Sequence, residues 1–202
     1  MRFPEFHNQW ALKKIKDITQ LSTGATPKTS KIEFWGGDIR WMSSGELNLK
    51  HIYEVEGRIT RLGYDSASTK MLPKNCILIG LAGQGKTRGT CAINHIELCT
   101  NQSIGAIWPS KIFNSLFLYY NIDSRYKELR ELSSGDGGRG GLNLPLIGSL
   151  RVPFCSLKEQ SKIASFLLLI EKRIETQNKI IREIISFIFT LLLEYVDYKG
   201  GN

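Results

Sequence analysis

Residues 76–90 read CILIGLAGQGKTRGT, and the way the second half of this stretch folds decides what kind of protein the chain is. Within it, GLAGQGKT at 80–87 matches the phosphate-binding pattern of a glycine, any four residues, then Gly-Lys-Ser/Thr, and the apolar CILI before it is a strand candidate. A phosphate loop needs more than the pattern. Its strand must hand glycine-rich backbone to the N-terminus of a helix, whose dipole helps to hold the anion. The residues that follow, RGTCAINHIELCT, are not helical: Gly89 arrives two residues after Thr87, and Thr90, Cys91, Ile93 and Ile96 favour extended backbone. Nor does an apolar strand ending in a magnesium-binding aspartate follow, because the nearest candidate, LFLYYNID, reads better as helix. The stretch is therefore expected to be a hairpin with a basic loop. Gln84, Lys86, Thr87 and Arg88, with glycines on both sides, can come close to another backbone or to base edges.

The surroundings of this hairpin have the same grammar. From residue 1 to about 155, short apolar runs alternate with STGATPKT, WGGD, SSGE and SSGDGGRGG, which leaves room mainly for strands and small helices. The expected class is α+β with a mixed or β-rich core, with one helix candidate at 115–132 that the following glycine cluster ends. Arg139, the one charged side chain after Asp136 in that cluster, is a second candidate contact, with a salt bridge to Asp136 inside a structural turn as the plain alternative. Lys28, after Pro27, and Ser43 and Ser44 are weaker candidates, and the serines read equally as turn caps. Trp35 and Trp41 are expected in the core.

Composition narrows the partners. The 202 residues are 42% hydrophobic and 23% charged, enough for one core or for one domain plus an appendage. Lys and Arg number 27 against 19 Asp and Glu, for a net charge of +8, which suits a polyanionic partner. Six basic and five acidic residues fall in 157–194, so almost all of the excess belongs to residues 1–156. No stretch of 18 uncharged apolar residues is present and the N-terminus MRFPEFHNQW lacks the apolar run of a secretion signal, so the protein is expected in the cytoplasm with no membrane partner. Cys76, Cys91, Cys99 and Cys155 form no CxxC pair and read as small buried hydrophobes. Cys91, His95 and Cys99 recur every four residues, but in extended backbone that spacing is roughly 13 Å, too far to share a zinc ion. His7, His51 and His95 lie in unrelated contexts, and no nucleophile-and-base constellation stands out.

Residue 156 begins a different text. Ser156 with Glu159 is a capping-box signature, and after it Ile163, Leu167, Ile170, Ile174, Gln177, Ile181, Ile184, Ile188 and Leu191 recur at alternating steps of four and three. This seam lasts about four heptads and predicts a helix over 157–194, roughly 55 Å long, which needs a partner for its apolar face. The helix could also fold back on residues 1–156, since Phe166, Leu168, Leu169, Ile180, Ile185 and Phe187 lie off the seam. Gln177 is a polar residue at a seam position that can set register or face a water-filled gap.

Taken in order, the segments STGATPK, FWGGDIRWMSSGEL, RIT, LPKNCILIGLAGQGKTRGT, CTNQSIGAI, LRELSSGDGGRGGLNLPLIGSLRVPF and SLKEQSKIASFL make the chain recognisable. It resembles the specificity subunit of type I restriction-modification systems from Trp10 to about Leu193. The resemblance implies a DNA target recognition domain at 1–155, a long spacer and dimerisation helix at 156–195 and a tail at 196–202. It implies that AGQGKTRG is a feature of the recognition domain and no nucleotide site.

Members of that family usually carry two recognition domains separated by two long helices packed antiparallel, whereas this sequence has one of each. It looks like a half subunit, and two copies could pair their helices about a two-fold axis as an antiparallel coiled coil. The implied role is non-catalytic: the chain reads double-stranded DNA and directs adenine methylation and restriction to a bipartite site. No cofactor is implied in this chain. S-adenosylmethionine would belong to the modification (methyltransferase) subunits, and ATP with magnesium to the restriction (motor-nuclease) subunit. A P-loop nucleotide-binding protein and a coiled-coil adaptor that ignores DNA remain as alternative readings.

Overall fold

The computed structural model describes residues 2–83, 87–133 and 141–200, and the side chains of those up to 192. In chain order the elements are β1 (Ala11–Lys14), β2 (Leu21–Thr23), β3 (Trp35–Met42), β4 (His51–Ile52), β5 (Arg58–Ile59), α1 (Arg61–Ser66), β6 (Ile77–Gly80), β7 (Cys91–Asn94), β8 (Cys99–Thr100), β9 (Ile104–Ile107), α2 (Ser115–Asp123), α3 (Tyr126–Leu132), α4 (Leu144–Ser149), β10 (Arg151–Phe154) and α5 (Leu157–Gly200). The class is α+β with a β-rich core and a long C-terminal helix, as the sequence predicts.

The core is a five-stranded sheet in the order β2-β9-β6-β7-β4, flanked by a three-stranded sheet, β5-β3-β8, and a two-stranded one, β1-β10. Strands β6, β7 and β9 are buried on both faces, which explains why CILI and IGAI read as unbroken apolar runs. Alternate residues serve opposite sides. Ile77, Ile79, Cys91, Ile93 and Ile107 meet Leu118, Tyr119 and Ile122 of α2, Leu129 of α3 and Ile147 of α4. Cys76, Leu78, Ala92, Ile104 and Ala106 meet Met42, Leu47, Ile52, Leu72 and Leu98. Each such Leu or Ile, fully withdrawn from water, contributes about 1.5–3 kcal/mol.

Residues 115–132 are two helices and not one. Asn114 caps α2, its side chain accepting from the Phe117 N–H at 3.0 Å. The helical path is lost at Arg125, whose φ of −101° and ψ of 23° are not helical. The Ser124 hydroxyl donates back to the Asn121 carbonyl at 2.8 Å, and the Arg125 guanidinium donates to the Arg151 carbonyl of β10 at 2.9 Å. That tertiary bond and the pairing of Arg125 with Glu128, which lowers the carboxylate's pKa, outweigh the continuous helical periodicity.

The chain divides into two units, Met1–Ser161 and Lys162–Asn202. The first turn of α5 belongs to the first unit. There the capping box expected at Ser156 forms only by half. The Glu159 N–H donates to Ser156 Oγ at 3.3 Å, but the carboxylate turns away from the cap and accepts from Arg2 Nε at 2.7 Å and Trp10 Nε1 at 3.0 Å. The Arg2 bond holds the Glu159 pKa below the usual carboxylate value. A complete box forms elsewhere, at Ser43 and Glu46.

The second unit is helix. α5 runs for 44 residues, about 66 Å, and exceeds the predicted end at 194 by six residues. Ile163 and Leu167 are half-buried, while Ile170, Ile174, Ile181, Ile184, Ile188 and Leu191 are 41–54% exposed and Gln177 is exposed too. Among the described residues no helix is long and apolar enough to cross a membrane.

Candidate nucleic-acid interface

Strand directions gather the candidate residues at one end of the five-stranded sheet. Because β2–β9, β9–β6 and β6–β7 are antiparallel pairs, β2 and β6 finish where β9 and β7 begin. β4 runs parallel to β7, so the 3₁₀ segment Ser44–Leu49 that leads into β4 comes from the same end. A Cβ built on Gly80 would lie 3.2 Å from Leu47 Cδ1, which places that segment against the end of β6. Four connections therefore lie together: the one after β2 with Lys28, the one after β3 with Ser43 and Ser44, residues 101–103, and the β6–β7 loop with Thr87 and Arg88.

The β6–β7 loop closes as a hairpin, which is the reading that separates this chain from a phosphate loop. The Gly80 N–H donates to the Thr90 carbonyl at 3.0 Å, and the Gly89 N–H donates to the Gly80 carbonyl at 2.9 Å. Gly89 has φ +80°, a conformation that suits glycine and turns the chain into β7 where a phosphate loop would start a helix. Thr87 accepts the Thr90 N–H through its carbonyl at 3.0 Å, while Arg88 is half-buried. Gln84 and Lys86 lie outside the described residues, as does Arg139, together with Asp136. Leu142 lies here too, since its N–H donates to the Leu81 carbonyl at 3.1 Å. Leu81 in turn donates to the Ser103 carbonyl at 2.8 Å, tying in the connection at 101–103.

Lys28 is exposed on a loop that is held from three sides. Thr26 Oγ1 donates to Gln102 Oε1 at 2.6 Å, Trp41 Nε1 to the Ala25 carbonyl at 3.0 Å, and Trp35 Nε1 to the Lys28 carbonyl at 3.4 Å. Gly24 permits this, because a Cβ there would lie 1.8 Å from the Thr100 carbonyl oxygen. Trp35 and Trp41 are thus not core residues. Both are half-buried and meet edge to face, 5.1 Å between centroids, as struts under the Lys28 loop. Ser43 caps the 3₁₀ segment: its hydroxyl and N–H both donate to Glu46, at 3.2 and 2.9 Å. Ser44 is the first residue of that segment.

His51 and His95 are not in unrelated contexts. Parallel pairing of β4 with β7 stacks their rings, 5.2 Å apart and inclined by 6°, with His51 Nδ1 2.9 Å from His95 Nε2. Tyr53 stacks on His95 at 4.3 Å, and burial followed by the His51 charge lowers the His95 pKa. The period-two spacing of His51 and Tyr53 was a visible signal, but nothing in the sequence shows β4 lying beside β7. Lys50, at φ 62°, pairs with Asp123 of α2 at 2.5 Å just before this stack.

The thiols are not poised for nucleophilic chemistry. Burial pushes Cys76 up to about 12, Cys99 and Cys155 up to about 11, and Cys91 further still. Among the described residues no group of three or more His, Cys, Asp or Glu is placed to hold a metal ion.

The profile of the family described as "Type I restriction modification DNA specificity domain" matches residues 7–185. The chain belongs to this family. The specificity subunit of the type I restriction enzyme MjaIX from Methanocaldococcus jannaschii is 34% identical over 193 residues, covering 89% of this chain and 43% of that protein. Among solved structures, a chain from work on complex assembly and conformational transition of the type I R-M system superposes with a TM-score of 0.66 at 17% identity, covering 86% of this chain and 41% of that one. The HsdS subunit from Thermoanaerobacter tengcongensis superposes with a TM-score of 0.63 at 16% identity, again over 86% of this chain and 41% of that one. These likenesses show the fold. This specificity-family chain spans under half the length of the relatives it matches.

Proposed function

We propose that this chain is the DNA-reading component of a type I restriction-modification complex, in a form with one recognition domain. The observation that supports the reading best is the meeting of the Lys28, Ser43–Ser44, Thr87–Arg88 and 141–142 segments at one end of the sheet, in a domain that carries most of the +8 charge. Basic and polar groups on closely spaced loops can hold phosphates and reach base edges. In this reading the chain is non-catalytic. Modification subunits carrying S-adenosylmethionine methylate the flipped adenine, and a restriction subunit uses ATP with magnesium to translocate and cut. Gln84, Lys86 and Arg139 are proposed DNA contacts.

The exposed seam of α5 supports a homodimer by antiparallel pairing of two such helices. Two identical domains about a two-fold axis require a DNA site made of two inverted copies of one short sequence with a constant gap. Methylated adenines should be mapped in a genome where this is the only specificity chain and its modification subunit is present. An interrupted inverted repeat is the expected result. Two unrelated half-sites would mean that another chain supplies the second domain, and absence of sequence-specific methylation would remove the DNA-reading role.

A further inference from the structure

Arg88 stands where the β6–β7 hairpin meets the end of α3, and its bonds run into the protein. Its Nη1 donates to Ser133 Oγ at 3.3 Å, the Ser133 hydroxyl donates to the Arg130 carbonyl at 2.6 Å, and Arg130 Nη1 donates to the Arg88 carbonyl at 3.4 Å. Arg88 and the end of α3 therefore hold each other through both side chain and backbone. Arg130 is steadied in turn by Tyr126, whose hydroxyl lies 3.3 Å from Nη1 and whose ring lies 5.7 Å from the guanidinium. The two Arg bonds are long for N–H···O contacts, so the tie depends on enclosure as much as on any one bond. Enclosure is present: Ser133 is 1% exposed, and Arg88 Nε is buried with no hydrogen-bond partner.

This circuit joins two backbone bonds that hold the loops. Gly89 to Gly80 closes the β6–β7 hairpin one residue from Arg88, and Leu142 to Leu81 seats Leu142 on the same root. The geometry points to Arg88 as a positioning residue, which ties Thr87–Gly89 of the β6–β7 hairpin to Ser133 at the end of α3 and so sets the root of a DNA-reading loop, without itself contacting DNA. A guanidinium spent on a phosphate would present its donor fork outward to the ligand; here Nη1 and Nε face protein. The inference rests on the DNA-reading role proposed above.

The test compares Arg88→Ala, Ser133→Ala, the double variant and Ser133→Thr in the assembled complex with its modification subunits. Binding to the mapped site and to unrelated DNA is measured across salt concentrations, and amide exchange of Gly89 and Leu142 is measured without DNA. Ser133 is too buried to touch DNA. The expectation is that Ser133→Ala reproduces the loss of site discrimination of Arg88→Ala, about tenfold, and that the double variant is no worse. The salt slope should stay unchanged, Gly89 and Leu142 should exchange faster in both single variants, and Ser133→Thr should retain wild-type discrimination. If Arg88→Ala instead lowers the salt slope by about one while Ser133→Ala behaves as wild type, Arg88 is a phosphate contact and the inference is overturned. Should the wild-type complex show no site preference, the proposed function fails, and the exchange data alone decide the tie: faster exchange supports it and unchanged exchange overturns it.

Discussion

Residues 76–79 and residues 180–185 are built from the same kind of side chain and meet opposite fates. Cys76, Ile77, Leu78 and Ile79 are wholly buried, each facing one of two packed layers. Ile180, Ile181, Ile184 and Ile185 are 42–62% exposed on α5. A strand in the middle of a sheet finds cover within its own domain, because residues of α2, α3 and α4 pack on one face and Met42, Leu47, Leu72 and Leu98 on the other. On the 44-residue α5 the same side chains are left exposed, and the proposed homodimer is what would cover them. The difference teaches that an apolar run reports burial only together with the length and period of the element that carries it.

The comparison can be broken most forcefully inside the sheet. Leu78→Ala removes a fully buried side chain between Met42, Leu47 and Leu98 and should cost about 2–5 kcal/mol, seen as an earlier denaturant midpoint for the first unit. Ile181→Ala on the helix should leave that midpoint unchanged. Equal losses from both would show that the helix is covered by its own chain.

A second experiment asks what the seam is for. Ile170→Asp together with Ile181→Asp places two charges on the exposed stripe and should convert the protein from dimer to monomer by light scattering at tens of micromolar, with the recognition unit still folded. A wild-type chain that is already monomeric at that concentration would end the homodimer proposal.

The smallest effect lies at the first turn of the helix, where residues 157–161 share the domain's own hydrogen bonds. Arg2 holds the Glu159 pKa below its unfolded value, about 4.3, so this carboxylate's contribution to stability is complete at neutral pH and is lost as pH falls through the lowered pKa. Glu159→Gln should therefore lower the thermal midpoint at pH 7, and the gap from wild type should close as the medium becomes acid. A gap that persists unchanged at pH 3 would show that the carboxylate's charge is not what Arg2 and Trp10 hold.

Much of the fold was legible because it is written in local periods. The unbroken apolar run CILI marked β6, the extended-favouring Thr90, Cys91 and Ile93 marked β7, the bend at Gly89 separated a hairpin from a phosphate loop, and alternating steps of four and three marked α5. Where side chains acted over long sequence distances, the local signal misled. Arg125 broke a helix that periodicity ran through, by reaching Arg151. Glu159 satisfied a capping pattern on paper, yet its carboxylate was taken by Arg2, 157 residues away. The pairing of His51 with His95 had no local signature, since it depends on which strand lies beside β7.

The sequence by itself determined the class of the protein, the hairpin with its basic loop, the family and the long amphipathic helix. The hairpin and the helix are set by spacing within a few residues, where backbone geometry leaves little choice, and the family by resemblance in the order of segments along nearly the whole chain. Only the tertiary structure decided that Lys28, Ser43, Ser44, Thr87 and Arg88 stand at one end of one sheet, that Trp35 and Trp41 are struts and not core, and that Arg88 turns toward Ser133. Those outcomes follow from the order and direction of strands, which are chosen by the burial of two faces at once, and no single stretch of the chain carries that information.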